Sequence, residues 1–509
     1  MDSIGSDGPK QSHAAARTGS LGAASLGPQD DQPAWLHIRP RTNESMMSQT
    51  AHAPGSDPQP QVRSEYRVLF GLSAPLAVAQ LGMMTMGVVD TMMVARIGVA
   101  ELAAVAIATS WAWSSSSLFQ GIVQGMDPLV SQAHGAGDGN GAALALQRGI
   151  IIAVAGSIPL IVLWVLTGPA LILFGQDEAV SRLAQSYMLA RLPSAIGFNL
   201  FVALRQYFAG RTIMRPAMWV MLIANLFNVF LNWVLIFGHL GMPALGLEGA
   251  GFATGITNIF LPLALWLWSR HFGLFEGAWR RWDRISFDMA GIRRYLKLGI
   301  PVGFQLALEA NAFTVGMIMI GWIGVVELAA HQVVINMASF TFMLPLGISI
   351  GASVRVGNLI GAGQSERLRV ACRAAFVMGA GVMTVAAFCF IVFRNTLPLF
   401  YLEDATVVAL AASLLPIAGA FQIADGIQVV GGGLMRGMGR PKAGAVVNLL
   451  GFYIVGLPLG WFLAFPLGLG VQGIWWGLAA GLGGVAIMLS VWVMRTAARP
   501  IEELTVDTH

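Results

Sequence analysis

The sequence predicts an all-α membrane protein of twelve transmembrane helices, arranged as two parallel six-helix bundles. Three observations carry that reading. Charged residues make up 11% of the chain against about 25% in soluble domains, and apolar residues 56%, so most of the surface faces something other than water. Twelve apolar runs follow one another, each long enough to cross roughly 30 Å of hydrocarbon at about 1.5 Å per helical residue. The runs are also duplicated: IGVVELAA from Ile323 nearly repeats IGVAELAA from Ile97 at a shift of 226 residues. At that shift Pro301 falls on Pro75, Gly351 on Gly125, and Gly361 to Gly363 on Gly135 to Gly137. With small gaps, Asn448 follows Asn225, Gly473 follows Gly249 and Arg440 follows Arg215. A fixed period this long marks a repeat architecture.

Residues 1–63 are rich in Ser, Gly, Pro, Gln and Ala, hold seven of the 23 prolines and lack the apolar run of a signal peptide. They are expected to be a disordered cytoplasmic tail. The apolar spans follow at 67–93, 102–126, 146–167, 184–206, 216–238, 250–270, 294–321, 327–353, 370–393, 406–432, 443–464 and 472–494. Spans 1 to 6 define an N-terminal lobe over 64–270, and spans 7 to 12 a C-terminal lobe over 294–495. A basic linker, 271–293, joins the lobes, and 496–509 forms a second cytoplasmic tail.

Of the 30 Lys and Arg, six precede or open span 1, about 20 fall on the face reached after the even-numbered spans, and four (Arg96, Arg182, Arg191, Arg394) lie near the other face. Positive charge favours the cytoplasm, which places both termini inside. An even number of spans per repeat makes the halves parallel, related by an axis along the membrane normal.

The net charge of +4 is no nucleic-acid footprint, because the basic residues sit in short loops between apolar runs. Cys372 and Cys389 are too few for a disulfide framework or a cysteine metal site. No GxxxxGK[ST] or HExxH sequence occurs, and GAGDGNG from Gly135 follows no strand, so neither ATP hydrolysis nor zinc proteolysis is supported. GISIG, from Gly347 to Gly351, matches a hydrolase elbow in letters only. It lies inside an apolar helix, where small residues at this spacing let helices approach closely. No enzymatic role is expected.

Of the 26 acids, 22 lie in tails, loops or span ends, leaving Asp90 in span 1, Asp127 at the inner end of span 2, Glu309 in span 7 and Asp425 in span 10. A carboxylate at the centre of a membrane helix costs about 3 kcal/mol on insertion scales, so Asp90, Glu309 and Asp425 are candidates for protonation, cation binding or a water-filled cavity. Asp127, beside Pro128, reads as a helix-terminal or packing residue. Amides share faces with the acids: Gln305 precedes Glu309 by four; Gln422, Asp425 and Gln428 recur at three; Asn225, Asn228 and Asn232 form a stripe on span 5. Interhelical hydrogen bonding accounts for part of such a pattern, and the acids favour a polar cavity. Met83, Met84, Met86, Met92 and Met93 crowd around Asp90, as pliable pocket lining or as ordinary filler.

VDTMMVARIG around Asp90, GIPVGFQLALEANAF around Glu309, ELAAHQVVINMASFTFMLPLGISIGASVRVGNLIGAG, and FQIADGIQVVGGGLMRGMGRPK around Asp425 resemble the multidrug and toxic compound extrusion (MATE) family. The resemblance is to the bacterial branch with acids in helices 7 and 10, and covers about Glu65 to Arg495. It implies a V-shaped two-lobed fold and a secondary antiporter of a bacterial inner membrane. Such a protein exports organic cations and amphipathic drugs in exchange for Na⁺ or H⁺ and needs no other cofactor. By the same likeness Glu309 and Asp425 are the acids of the C-terminal lobe and the candidate Na⁺ ligands, while Asp90 is the N-terminal aspartate with Asn228 and Asn232 as partners. Where some members carry a tyrosine one turn before the helix 10 aspartate, this chain has Phe421, which removes a hydroxyl from one cation shell.

A cation and a drug cation held about 4 Å apart at an effective dielectric near 20 repel by roughly 4 kcal/mol, so loading one guest expels the other. Asp90 is nearer the outer end of its span than Glu309 and Asp425 are, which makes the N-terminal site the one more readily reached from outside. The chain is expected to work as a monomer. A flippase for anionic lipid-linked sugars is the rival transporter reading, and it calls for cavity cations where the reading finds only Arg355, near an inner end. A non-transporting receptor or scaffold is the rival from another class.

Overall fold

The computed structural model describes residues 58–401 and 404–507. The expected tail therefore lies outside the described residues up to position 57, and span 1 already begins at Pro58, inside the segment read as tail. All regular structure among the described residues is helical. Eleven helices are long and apolar enough to cross a membrane, and a bent pair makes the twelfth crossing. Span 1 is Pro58–Val94, span 2 Val99–Gln124 followed by Asp127–Gly135, and span 3 Gly139–Val165. Span 4 is the bent pair Glu178–Ala190 and Pro193–Gly210, span 5 Arg215–Phe237 and span 6 Gly246–His271. The second half repeats the set: span 7 Met289–Gly321, span 8 Val325–Gly361, span 9 Ser365–Val392, span 10 Ala405–Gly437, span 11 Lys442–Ala464 and span 12 Gly470–Thr496.

Local chemistry explains the boundaries. Asp138, Asp177, Asp288 and Asp404 cap spans 3, 4, 7 and 10, each side chain accepting an orphan amide of the first turn. At the exposed start of span 7 the Gly291 amide, 2.9 Å from Asp288, holds that carboxyl below the usual carboxylate range. Span 4 bends by 53° where Pro193 opens its second piece. Span 11 widens into a π-helical turn over Leu449–Gly456, just before Pro458, whose ring nitrogen has no hydrogen to give the carbonyl of Ile454. Exposed large side chains such as Phe70, Ile158, Leu226, Phe388 and Ile487 give the outside of both lobes an apolar surface suited to lipid. The chain is thus a multi-pass membrane protein.

The lobes meet through spans 1 and 2 on one side and spans 7 and 8 on the other, and the contacts obey the sequence repeat. A Cβ added to Gly125 would lie 2.3 Å from the Gly299 Cα, and one added to Gly351 would lie 3.2 Å from the Ser73 Cα; these pairs exchange under the 226-residue shift. Gly121 against Gly303 and Gly347 against Ala77 form a second exchanging pair, Gly135 against Asn358 and Gly361 against Gln132 a third. Gly357 faces Ser131, its own repeat mate, so this pair lies on the pseudo-two-fold axis. The GISIG letters are accordingly half of an inter-lobe seam that any larger residue would force apart.

These contacts run from the middle of the spans to the face where both ends of the described chain emerge, termed the inner face. Polar bonds join the lobes there too. Glu65 of span 1, fully buried, receives a fork from Arg355 at 2.8 and 2.7 Å and a second cation, Arg367, at 2.5 Å. Tyr295 donates to the Val123 carbonyl at 2.6 Å. Beyond span 12 the chain returns across the seam, where the Val506 amide donates to Gln132 Oε1 at 2.7 Å and Gln132 Nε2 donates to the carbonyls of Leu504 and Gly437 at 3.2 Å. Farther out, the one inter-lobe hydrogen bond among the described residues is Ser114 to Asn311 at 2.7 Å. The linker read between the halves is folded onto the N-terminal lobe, with Gln147 bonded to the Arg280 carbonyl and Tyr207 to that of Ala278.

Candidate cation and substrate sites

Span 1 carries Asp90 to a buried position facing spans 5 and 6. Asn232 Nδ2 donates to one carboxylate oxygen at 2.5 Å and Thr254 Oγ1 to the other at 3.0 Å. Asn228, one helical turn before Asn232, accepts its second amide hydrogen at 3.1 Å. Both Asp90 oxygens are therefore satisfied, leaving Asn228 Nδ2 and Asn232 Oδ1 as the atoms without a partner. Asn225 leaves this stripe, because its amide bonds back to the Met221 carbonyl. Of the surrounding methionines, Met86 is buried and Met92 is exposed, while Met83 and Met93 pack against different apolar clusters.

The C-terminal lobe gathers a second set. Glu309 Oε2 accepts from Gln428 Nε2 at 2.9 Å and from Asn448 Nδ2 at 3.3 Å. Asp425, 4% exposed and one turn before Gln428, lies within electrostatic reach of Glu309 and receives no hydrogen bond from the described residues. The amide oxygens of Gln428 and Asn448, whose nitrogens hold Glu309, are buried without a donor, as are those of Gln305 and Gln422 on the acid-bearing spans 7 and 10. Gln305 belongs to this group through its carbonyl, which accepts from Asn448 at 3.5 Å, whereas the Gln422 amide points away to Thr341 of span 8 at 2.7 Å. Tyr453, on the widened turn of span 11, donates to the Leu308 carbonyl and fixes that span beside Glu309. Phe421 packs its ring against Phe313 and Trp475.

No Lys or Arg forms an ion pair with Glu309 or Asp425 among the described residues, and none contains a cluster of three or more His, Cys, Asp or Glu. Carboxylate and amide oxygens without donors fit a hard cation or a proton, and not a transition metal. The sequence-read residues thus fall into two separate groups, Asp90 with Asn228 and Asn232 in one lobe, Glu309 with Asp425 and Gln305 in the other.

Asp127 occupies the helix-terminal place read for it, as the first residue of Asp127–Gly135, and its carboxylate does more. Gln206 donates to it at 2.6 Å, Ser353 of the opposite lobe approaches at 3.5 Å, and Arg436 Nε of span 10 lies 3.6 Å away. The expectation that Arg355 is the sole cation within the spans needs correction, since Arg148 of span 3, Arg205 of span 4 and Arg436 of span 10 are all buried. Arg436 lies beyond the 406–432 bounds of span 10 read from the sequence, and the helix in fact runs on to Gly437. Each of these cations is engaged: Arg148 with the Ile285 carbonyl at 3.5 Å, Arg205 with Gln80 at 2.7 Å, Arg355 with Glu65, Arg436 with Asp127 and Ser349. Asn448 and Thr254 were missed as site residues. The repeat offered a signal for Asn448, the counterpart of Asn225, and nothing in the sequence marked Thr254.

The MatE family profile matches residues 75–234 and 301–462, one match per repeat. The chain is 32% identical over 447 residues to the multidrug resistance protein NorM of Aliivibrio fischeri, covering 85% of this chain and 95% of that one. It is 32% identical over 453 residues to the multidrug resistance protein PmpM of Pseudomonas aeruginosa, covering 87% and 94%. The eukaryotic MATE transporter AtDTX14 shares its fold at a TM-score of 0.81 with 24% identity, covering 87% of this chain and all of that one. The Vibrio cholerae MATE transporter VcmN in its bent form gives 0.75 and 20%, covering 88% and 100%. With one profile match in each of its two repeated halves and bacterial relatives above 30% identity over nearly their whole length, the chain belongs to the MatE family.

Proposed function

We propose that this protein is a cation-coupled antiporter that exports organic cations and amphipathic drugs across a bacterial inner membrane, with both termini in the cytoplasm. One observation carries the reading: Glu309 and Asp425 are held in the membrane region with no paired Lys or Arg and with unpartnered amide oxygens around them. A carboxylate in such a place is stabilised by an arriving positive guest, and two such guests exclude one another. The relatives named as multidrug resistance proteins support the drug side of the exchange. The unpartnered amide oxygens of Gln428 and Asn448 beside Glu309 favour Na⁺ as the coupling ion, and an Asp425 without a hydrogen bond among the described residues favours H⁺. One chain supplies both lobes, so the working unit is a monomer.

The flippase reading is weaker, because the buried arginines it would use for an anionic cargo are already bound to protein acids or amides. The receptor or scaffold reading gives no reason for unpaired membrane carboxylates. The test is efflux of tetraphenylphosphonium from proteoliposomes with a Na⁺ gradient and a pH gradient imposed separately. Antiport predicts efflux under at least one gradient, and a response to neither would remove it.

A further inference from the structure

The buried pair at the inner seam has a second carboxylate within reach. Asp127 belongs to the N-terminal lobe and Arg436 to the C-terminal lobe, and both are almost wholly buried, 2% and 3% exposed. Arg436 Nη2 also donates to Ser349 at 3.3 Å, while its Nε has no hydrogen-bonded partner, the Asp127 oxygen standing slightly long at 3.6 Å. On its outer side the guanidinium approaches the Glu309 site. A methyl group at Gly432 would lie 2.6 Å from Gln305 Nε2 and 3.9 Å from Arg436 Nη1, so this glycine floors the place where Arg436 and the residue one turn before Glu309 converge. Glu309 and Arg436 interact electrostatically across that floor. The other charged groups facing the pair are Arg205, held by Gln80, and Asp425 beyond Glu309.

Separating the lobes on the inner face would carry Asp127 away from Arg436 and leave a buried cation uncompensated, which is costly unless another anion takes over. Glu309 sits on the same lobe as Arg436, one turn beyond the Gln305 that meets the guanidinium over Gly432, and keeps that place when the lobes part. Resting on the antiport reading above, we propose that Arg436 exchanges partners, binding Asp127 when the inner face is closed and Glu309 when it is open. A bare Glu309 then holds the inner face open, and a guest cation that neutralises Glu309 returns Arg436 to Asp127 and reseals it. The device prevents the empty transporter from returning without cargo, which exchange requires. Arg436 is a positioning residue in this scheme, and touches neither guest.

The test places spin labels at Asn140→Cys and Glu366→Cys, exposed repeat mates at the inner ends of the lobes, with Cys372→Ala and Cys389→Ala. Their separation is read by pulsed electron spin resonance in lipid nanodiscs, with and without tetraphenylphosphonium or Na⁺. Without guest the unmodified site shows a long inner distance, and saturating guest shifts it to the short one. Glu309→Gln, which cannot hold Arg436 as an anion, stays short with or without guest. Arg436→Gln shows one guest-independent distribution and loses at least tenfold in efflux, and Arg436→Lys recovers part of the response. An unmodified site that ignores guest, a Glu309→Gln variant that still opens, or an Arg436→Gln variant that responds and exports normally would overturn the partner exchange while leaving antiport standing. Absent efflux from the unmodified protein under either gradient would instead remove the antiport reading itself.

Discussion

Asp90 and Glu309 are both carboxylates in helices of the membrane region, yet Asp90 has a donor on each oxygen, whereas Glu309 takes two amides on one oxygen and Asp425 beside it takes none. The N-terminal site is close to complete as protein alone. The C-terminal site has carboxylate and amide oxygens in excess of donors, an arrangement that costs free energy until something positive enters. Two halves of one duplicated sequence have thus diverged into a self-satisfied acid and an unsatisfied pair, and under the antiport proposed above the C-terminal pair is the one expected to exchange cations.

The sharpest way to break this contrast is to neutralise each lobe in turn. Glu309→Gln with Asp425→Asn should bring gradient-driven efflux in proteoliposomes to background, a loss of about 100-fold or more, as expected when a transported charge has no binding anion. Asp90→Asn should cost no more than about tenfold and leave the dependence on the driving cation unchanged, since it alters a hydrogen-bonded acid rather than an open one. Equal losses in both lobes would erase the distinction.

Smaller changes grade it. Asn448→Leu removes a donor to Glu309 and a buried oxygen, worth about 1–2 kcal/mol, and should weaken the half-saturating concentration of the coupling cation about tenfold. Its counterpart Thr254→Val removes a single bond to Asp90, worth about 1 kcal/mol, and should slow efflux about fivefold without moving that concentration. Smallest is Phe421→Tyr, which restores a hydroxyl one turn from Asp425. If Na⁺ is the coupling ion, its half-saturation should tighten about threefold, with efflux under a pH gradient unchanged; no shift in Na⁺ would place that hydroxyl outside the cation shell.

The sequence showed the twelve spans and their duplication because lipid demands long apolar runs and because the repeat kept its glycines at the seam. It showed Asp90, Glu309 and Asp425 because a charge inside an apolar run has few bland explanations. It did not show the partnership of Asp127 and Arg436. Each lies near a helix end, where charge is ordinary, and what makes the pair notable is a contact between residues more than 300 positions apart. Nor did it show the inner seal formed by Leu504 and Val506, since a short polar segment after the last span carries no periodic signal. The break in span 4 was written in Pro193, but a proline inside an apolar run marks a kink without giving its angle.

Charge movement on a supported membrane, recorded when Na⁺ concentration or pH is stepped in the absence of drug, reads guest binding to these acids most directly. A transient current is expected in the unmodified protein, surviving Asp90→Asn and vanishing when Glu309→Gln and Asp425→Asn are combined. A current of undiminished size in that double variant would show that the cation is held elsewhere.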